Sequence, residues 1–340
     1  MKAKIRILAV LLAVLTVALN PSLTVLADGD SCQGEHTEFN YKGVCVSCGA
    51  KKDGVTALYG NSLTLKDNVE VLFYLDIDTD FAEGATLRIG LERDFGNENK
   101  VVTAPIEQLN TVDIEGKTYY VASYGVSAKD ISAPVKAIVV GADGTEGTEY
   151  LCSAKDYIDT VNAREIGGEI TEELKTLVNA LYVYGKNAAA VLSGGELQET
   201  VVGADFSNVP NAGGQKVGTE IKLEQFSLEL RSSVRLRVYF GITSEAEGRG
   251  FTVKISGKEV NAVKIKSGVW CIEQDVAASR LGEFFSFVIT SGESSLTVNL
   301  SALYYAKIMH TQAKTEGEKN LMKAIKLYYD AAVAYVESIQ

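Results

Sequence analysis

The chain has 340 residues, with 33 Lys and Arg against 44 Asp and Glu and a net charge of −11 at pH 7. That balance argues against nucleic acid and anionic membranes as partners, because both are held by clustered basic side chains. With 46% apolar residues, the composition is that of a folded globular protein.

Lys2, Lys4 and Arg6 precede an apolar run from Ile7 to Leu19 that only Thr16 interrupts. Pro21 and Ser22 break the run, and Val25-Leu26-Ala27 leads into Asp28. This is the pattern of a secretory signal, expected to be removed after Ala27. The run is shorter than the roughly 20 residues that span a bilayer. Asp28, not Cys, follows the cleavage point, so no lipid attachment is expected. Without residues 1–27 and their three positive charges, 313 residues remain at a net charge of −14. The expected product is secreted and extracellular, free or held at a surface by noncovalent contacts, with no membrane insertion after cleavage. Its length predicts two domains.

Residues 28–53 form a small Cys/His knuckle. Cys32 and His36 precede Cys45 and Cys48, and Gly49 follows directly. A Cys-x-x-Cys pair places two sulfurs on one ion, and a Gly after it tolerates the tight turn. Cys32, His36, Cys45 and Cys48 together make a tetrahedral set for a structural zinc, which is closed because no position is left for water. A disulfide among the three cysteines is the competing reading in an oxidising compartment. Cys152 and Cys271 are expected as buried thiols.

The rest of the chain is self-similar. Residues 62–75 align without a gap on residues 227–240, with Ser, Leu, Leu, Val and Tyr recurring at matched places. Tyr120 to Val139 then matches Trp270 to Ile289, Ser153-Ala154 matches Ser301-Ala302, and Leu177, Ala180, Tyr184 and Ala188 match Leu321, Ala324, Tyr328 and Ala332. Collinear matches with a drifting offset indicate a duplicated module, at 54–193 and 218–340, with 194–217 as a linker carrying a short strand at 199–202.

Each copy opens with period-2 alternation around a polar turn, Lys66-Asp67-Asn68 or Arg231-Ser232-Ser233, which predicts a β-hairpin. Strands follow at 85–91, 118–123 and 135–140 in the first copy. In the second they fall at 251–255, 259–265, 269–273, 284–289 and 296–300. Each copy closes in a short helix, near 154–162 or 301–311, and a long one. Leu174, Leu177, Val178, Leu181, Gly185, Ala188 and Leu192 make one apolar stripe, and Leu321, Met322, Ile325, Tyr328, Tyr329, Ala332 and Val336 the other. Thr171 is the expected cap of the first, and Thr315 with Glu318 has capping-box spacing in the second. The fold class is therefore α+β: two tandem repeats, each a mainly antiparallel sheet or sandwich followed by a helical pair.

Catalytic signals are weak. His36 is assigned to the knuckle and His310 reads as a helix-surface residue. The chain has no nucleophile elbow, no His-Glu-x-x-His and no phosphate-cradling loop. The Asp76-Ile77-Asp78-Thr79-Asp80 run lacks the Gly and distal Glu of a calcium loop and reads as a solvated strand end. Sixteen Tyr stand against one Trp. Tyr119, Tyr120, Tyr124, Tyr182 and Tyr184 are weighed as faces for sugars, against a core role for Tyr184, Tyr328, Tyr74, Tyr239 and Trp270.

The knuckle, the Ser62–Leu75 opening and the Tyr-rich closing helix together resemble secreted multidomain proteins of anaerobic, gut-type Firmicutes. The resemblance spans essentially the whole mature chain. It implies secretion and a bacterial surface setting and supplies no catalytic residues; no dockerin, sorting signal or catalytic domain is evident. The expected function is noncatalytic binding of a glycan, a cell-wall polymer or a surface protein. An extracellular polysaccharide hydrolase working through a carboxylate pair, and a structural spacer, are the alternatives.

Overall fold

The computed structural model describes residues 38–65, 67–193 and 200–340. The expected signal peptide and two of the four expected knuckle ligands, Cys32 and His36, lie outside them. The elements in chain order are β1 (Thr56–Thr64), β2 (Glu70–Ile77), α1 (Thr79–Ala82), β3 (Thr86–Leu91), β4 (Val102–Pro105), β5 (Asn110–Ile114), β6 (Lys117–Gly125), β7 (Val135–Val140), β8 (Glu146–Cys152), α2 (Ala154–Ala163) and α3 (Glu172–Ser193). The second half contains β9 (Gly213–Val217), β10 (Ile221–Leu230), β11 (Val234–Ile242), α4 (Ser244–Arg249), β12 (Thr252–Ile255), β13 (Lys258–Glu259), β14 (Val263–Lys266), β15 (Val269–Val276), β16 (Phe285–Ser291), β17 (Ser294–Leu300), α5 (Ala302–Gln312) and α6 (Glu316–Ser338).

The fold is mixed, with helices and several antiparallel sheets. In the N-terminal half, one sheet has the order β1-β2-β6-β5 and the other β4-β3-β7-β8. In the C-terminal half the orders are β10-β11-β15-β14 and β13-β12-β16-β17-β9. The alternation of β2 explains how the sheets pack. Val71, Phe73, Leu75 and Ile77 point one way and are all buried, meeting Leu87 and Ile89 of β3 in one core. Two sheets facing each other across interdigitated apolar side chains is the sandwich arrangement. In the second half, Leu236, Val238 and Phe240 of β11 meet Phe287 and Ile289 of β16 in the same way.

Both opening hairpins carry an irregularity one turn from the start. In β1 the register against β2 shifts between Leu58 and Gly60, leaving Tyr59 as the extra residue. In β10 the shift falls between Leu223 and Gln225, leaving Glu224. A bulge of this kind re-aims the extra side chain.

The helices close each half. Ser153 caps α2 and pairs reciprocally with Asp156, and Thr315 does the same for α6 with Glu318. Thr171 Oγ1 accepts from Leu174 N at 3.1 Å, capping the start of α3. The long helices α3 and α6 pack on one another, and Tyr184 stacks on Tyr328 with ring centroids 5.4 Å apart. At the same junction Val69 N–H donates to Ser232 O across 2.8 Å, joining the two hairpin turns.

Three departures from the expected layout have physical causes. Residues 200–202 form no strand; pairing falls at β9, on the edge of the second sandwich against β17. The linker segment beyond residue 199 is anchored: Val201 and Val209 are buried, Phe206 stacks on His310 at 5.2 Å, and Lys307 Nζ donates to Val209 O at 2.7 Å. The run 259–265 splits between sheets, because β13 pairs with β12 while β14 pairs with β15. The strands β4, β5 and β8 are also present; β4 and β5 are short, mostly exposed edges whose composition carries little alternation.

Candidate functional site

The segment before β1 is fastened to the first sandwich. Within it Phe39 bridges Cys45 and Val44 bridges Lys51. Leu58 N–H donates to Lys42 O at 2.9 Å, so the segment lies along the β1 edge. Gly43, at φ +71°, sits so close to Thr148 and Tyr150 that a Cβ there would stand 3.2 Å from both. Asp53 finishes the attachment. Its Oδ1 accepts from Val55 N (3.0 Å) and Thr56 N (2.7 Å), and its Oδ2 accepts from the Thr56 hydroxyl and from Thr148 N (2.7 Å).

Of the knuckle ligands, Cys45 is buried and Cys48 exposed. The turn between them is closed by Gly49 N–H donating to Cys45 O at 2.9 Å, with Gly49 in the left-handed region at φ +76°. Among the described residues no three His, Cys, Asp or Glu side chains converge as a metal site.

Beside this attachment two tyrosines that are far apart in sequence come together. Tyr59, from the β1 bulge, meets Tyr119 of β6 with ring centroids 4.5 Å apart and planes tilted by 38°. Tyr119 is only 7% exposed, so it supports Tyr59 from beneath. Tyr41 is 58% exposed. Lys42 Nζ is 6.0 Å from the Tyr41 centroid and 5.9 Å from that of Tyr59. Partial burial holds the Lys42 ammonium below its ordinary range.

Charges border the rings. Lys117 Nζ is 5.7 Å from the Tyr119 centroid and 2.6 Å from Asp76 Oδ2. The hydrogen bond that Lys117 donates to Asp76 raises its pKa, which partial burial opposes. Lys51 Nζ is shared between Asp76 Oδ1 at 3.3 Å and Asp78 Oδ1 at 2.5 Å. Two of the three carboxylates in the acidic run are thus already paired with ammonium groups.

The aromatic candidates read from sequence separate in space. Tyr120 and Tyr124 pack on the core, Tyr184 is buried against Tyr328, and Tyr182 lies between Lys155 and Lys186. Only Tyr119 belongs to the surface patch. Tyr41 and Tyr59 are not among the sequence candidates, because the β1 register shift that sets Tyr59 apart exists only in the folded pairing. Trp270 is half-buried, edge-on to Phe251 at 4.9 Å, with Lys264 at 5.4 Å from its ring.

Two partly buried carboxylates of the first half are held by structural hydrogen bonds. Burial pushes the Asp53 carboxyl up, but its hydrogen bonds outweigh that and leave it below the usual range. Asp130 behaves likewise, with Ser127, Arg93 and Lys129 as donors. A general acid needs the opposite displacement. His310 is lowered by burial and by Lys323 and Lys319, so it is neutral at pH 7. Cys152 and Cys271 are buried thiols.

Among the described residues no helix is long and apolar enough to cross a membrane. No protein-family model and no curated protein matches this chain.

Proposed function

We propose that this is an exported, noncatalytic glycan-binding protein, in which Tyr41 and Tyr59 form the binding face and Tyr119 backs it. The observation that carries the reading is the ring pair beside Lys42, on the outside of the first sandwich. Pyranose rings present polarised C–H groups on one face, which pack against aromatic rings, while their hydroxyls need charged or polar partners at the edge. Lys117, Lys51, Asp76 and Asp78 supply that edge.

Two tandem copies of one module make up the chain in this reading. The shared strand order, the bulge repeated in β1 and β10, and the serine caps of α2 and α5 support it. The binding face itself is not repeated. Glu224 occupies the second bulge and pairs with Lys222 at 2.9 Å, and Val269 stands where Tyr119 does in the first copy. One site per chain follows, so avidity between like sites is not part of the function. The second module serves as a docked partner of the first.

Zinc in the knuckle belongs to the same proposal, with Cys32, His36, Cys45 and Cys48 as ligands. The Gly49 turn supports it, since a left-handed glycine lets a short Cys-x-x-Cys loop aim both sulfurs at one ion. One zinc per chain is expected in protein purified without oxidation, lost in Cys45→Ser. A mass showing a disulfide and no metal would overturn this assignment.

The binding test is co-sedimentation of the chain lacking residues 1–27 with isolated cell walls and insoluble plant polysaccharides. Retention should fall about tenfold in Tyr59→Ala, equal to roughly 1.4 kcal/mol of lost aromatic contact. Retention on no matrix, or retention unchanged in Tyr59→Ala and in Tyr41→Ala, would sink the reading.

A further inference from the structure

Three lysines border the tyrosine face, and they are not equivalent. Lys51 and Lys117 are neutralised by Asp76 and Asp78. Lys42 is different: among the described residues no carboxylate lies within ion-pairing distance of its Nζ, which stands near the two rings. Its backbone is fixed at both ends, because its N–H donates to Asn40 Oδ1 at 2.9 Å and its carbonyl accepts from Leu58 N. The backbone that carries the ammonium is therefore fixed, and the ammonium stands within 6.0 Å of two ring centroids.

We propose, building on the glycan reading above, that the Tyr41–Lys42–Tyr59 site selects uronic-acid units of a polysaccharide. The sugar ring lies on the tyrosines and its carboxylate meets Lys42 Nζ. A uronate carries a single negative charge one bond from the ring, which places it at the edge of an aromatic face, where this ammonium stands. One ammonium matches one charge. Without residues 1–27 the chain's net −14 opposes every polyanion, so a preference for a uronate polymer depends on this local pair and not on a general basic surface. The ammonium–ring contacts also favour Lys42 remaining charged while its head group is partly desolvated.

Affinity electrophoresis of the chain lacking residues 1–27 tests this, with polygalacturonate, its carboxyl-reduced neutral counterpart and dextran sulfate in the gels. Polygalacturonate should retard the protein about tenfold more strongly than the neutral polymer, the worth of one charge-assisted hydrogen bond. Lys42→Met should bring retardation by polygalacturonate down to that by the neutral polymer, erasing the preference, and Lys42→Arg should restore it. The preference should also weaken as salt is raised. Equal retardation by polygalacturonate and its reduced form, or a preference that survives in Lys42→Met, overturns the uronate assignment while leaving glycan binding intact. Stronger retardation by dextran sulfate that depends on Lys42 also overturns it. No retardation by any polymer is failure of the parent reading instead.

Discussion

At the scale of single residues, buried polar groups in the first sandwich carry much of its definition. Asp53 accepts four hydrogen bonds and ties the entry segment to β1 and β8. Replacing it with Asn leaves the shape but removes the charge that strengthens those bonds. Asp53→Asn should lower unfolding free energy by roughly 1–3 kcal/mol at pH 7, read from urea denaturation. Because the folded carboxyl titrates below its unfolded value, the unfolded chain binds more protons at low pH. This stability is complete above the unfolded pKa and is lost as pH falls through the folded one, so wild type and Asp53→Asn should converge below about pH 4. The thiols behave as core groups. Burial, aided by Asp156, pushes the Cys152 thiol up to about 12, against the Asn61 amide, and burial raises Cys271 as well. Neither should alkylate in the native protein at pH 8, and both should react in denaturant; rapid native labelling of Cys152 would contradict its placement.

At the scale of elements, capping and close approach fix where helices start and how they seat. Ser153→Ala and Thr315→Ala each remove one capping oxygen and should each cost about 1 kcal/mol in chemical denaturation. Glycine substitutions separate propensity from packing. A Cβ on Gly185 of α3 would stand 2.6 Å from Ile131 Cγ1 and 3.0 Å from Ala128 O. The helix-propensity gain of about 1 kcal/mol is outweighed by this overlap, so Gly185→Ala should destabilise by about 1–3 kcal/mol. Gly248 in α4 meets nothing within 4 Å, and Gly248→Ala should be neutral or stabilise by up to about 1 kcal/mol. The second half solves the equivalent contact with the sizes exchanged: Tyr329 of α6 lies over Gly282, where a Cβ would be 2.7 Å from its hydroxyl.

At the scale of the molecule, the two halves meet along matched residues. Val69 and Val234, Ala128 and Ala278, and Tyr184 and Tyr328 line one small cavity between α3, α6 and the hairpin turns. Each pair is matched when the sequences of the two halves are aligned, so similar side chains face one another across the junction. Tyr184→Ala removes one ring from the buried stack and should cost about 3–5 kcal/mol. Calorimetry of wild type should show one transition. In Tyr184→Ala the two halves should begin to melt separately, since the ring is shared between their helices. A single transition shifted as a whole would mean that other contacts hold the halves together.

The residues set a good deal of this directly. Period-2 alternation around Asp67-Asn68 and Ser232-Ser233 gave both opening hairpins, because one buried face requires it. Three- and four-residue spacing placed α3 and α6, and Thr315 with Glu318 marked a start whose orphan amides need partners. Short edge strands such as β4 and β5 were not legible, since exposed edges need little apolar periodicity and gain their hydrogen bonds only from a neighbour distant in sequence. The proposed binding face was not legible either. Tyr41, Tyr59 and Tyr119 belong to a lead-in segment, a bulge and a third strand, and no spacing connects them. Local sequence determined which segments would be strands or helices, because backbone hydrogen bonding and burial act within a few residues. Which side chains became neighbours was decided by the fold, through the extra residue in β1 and the docking of the entry segment on its edge.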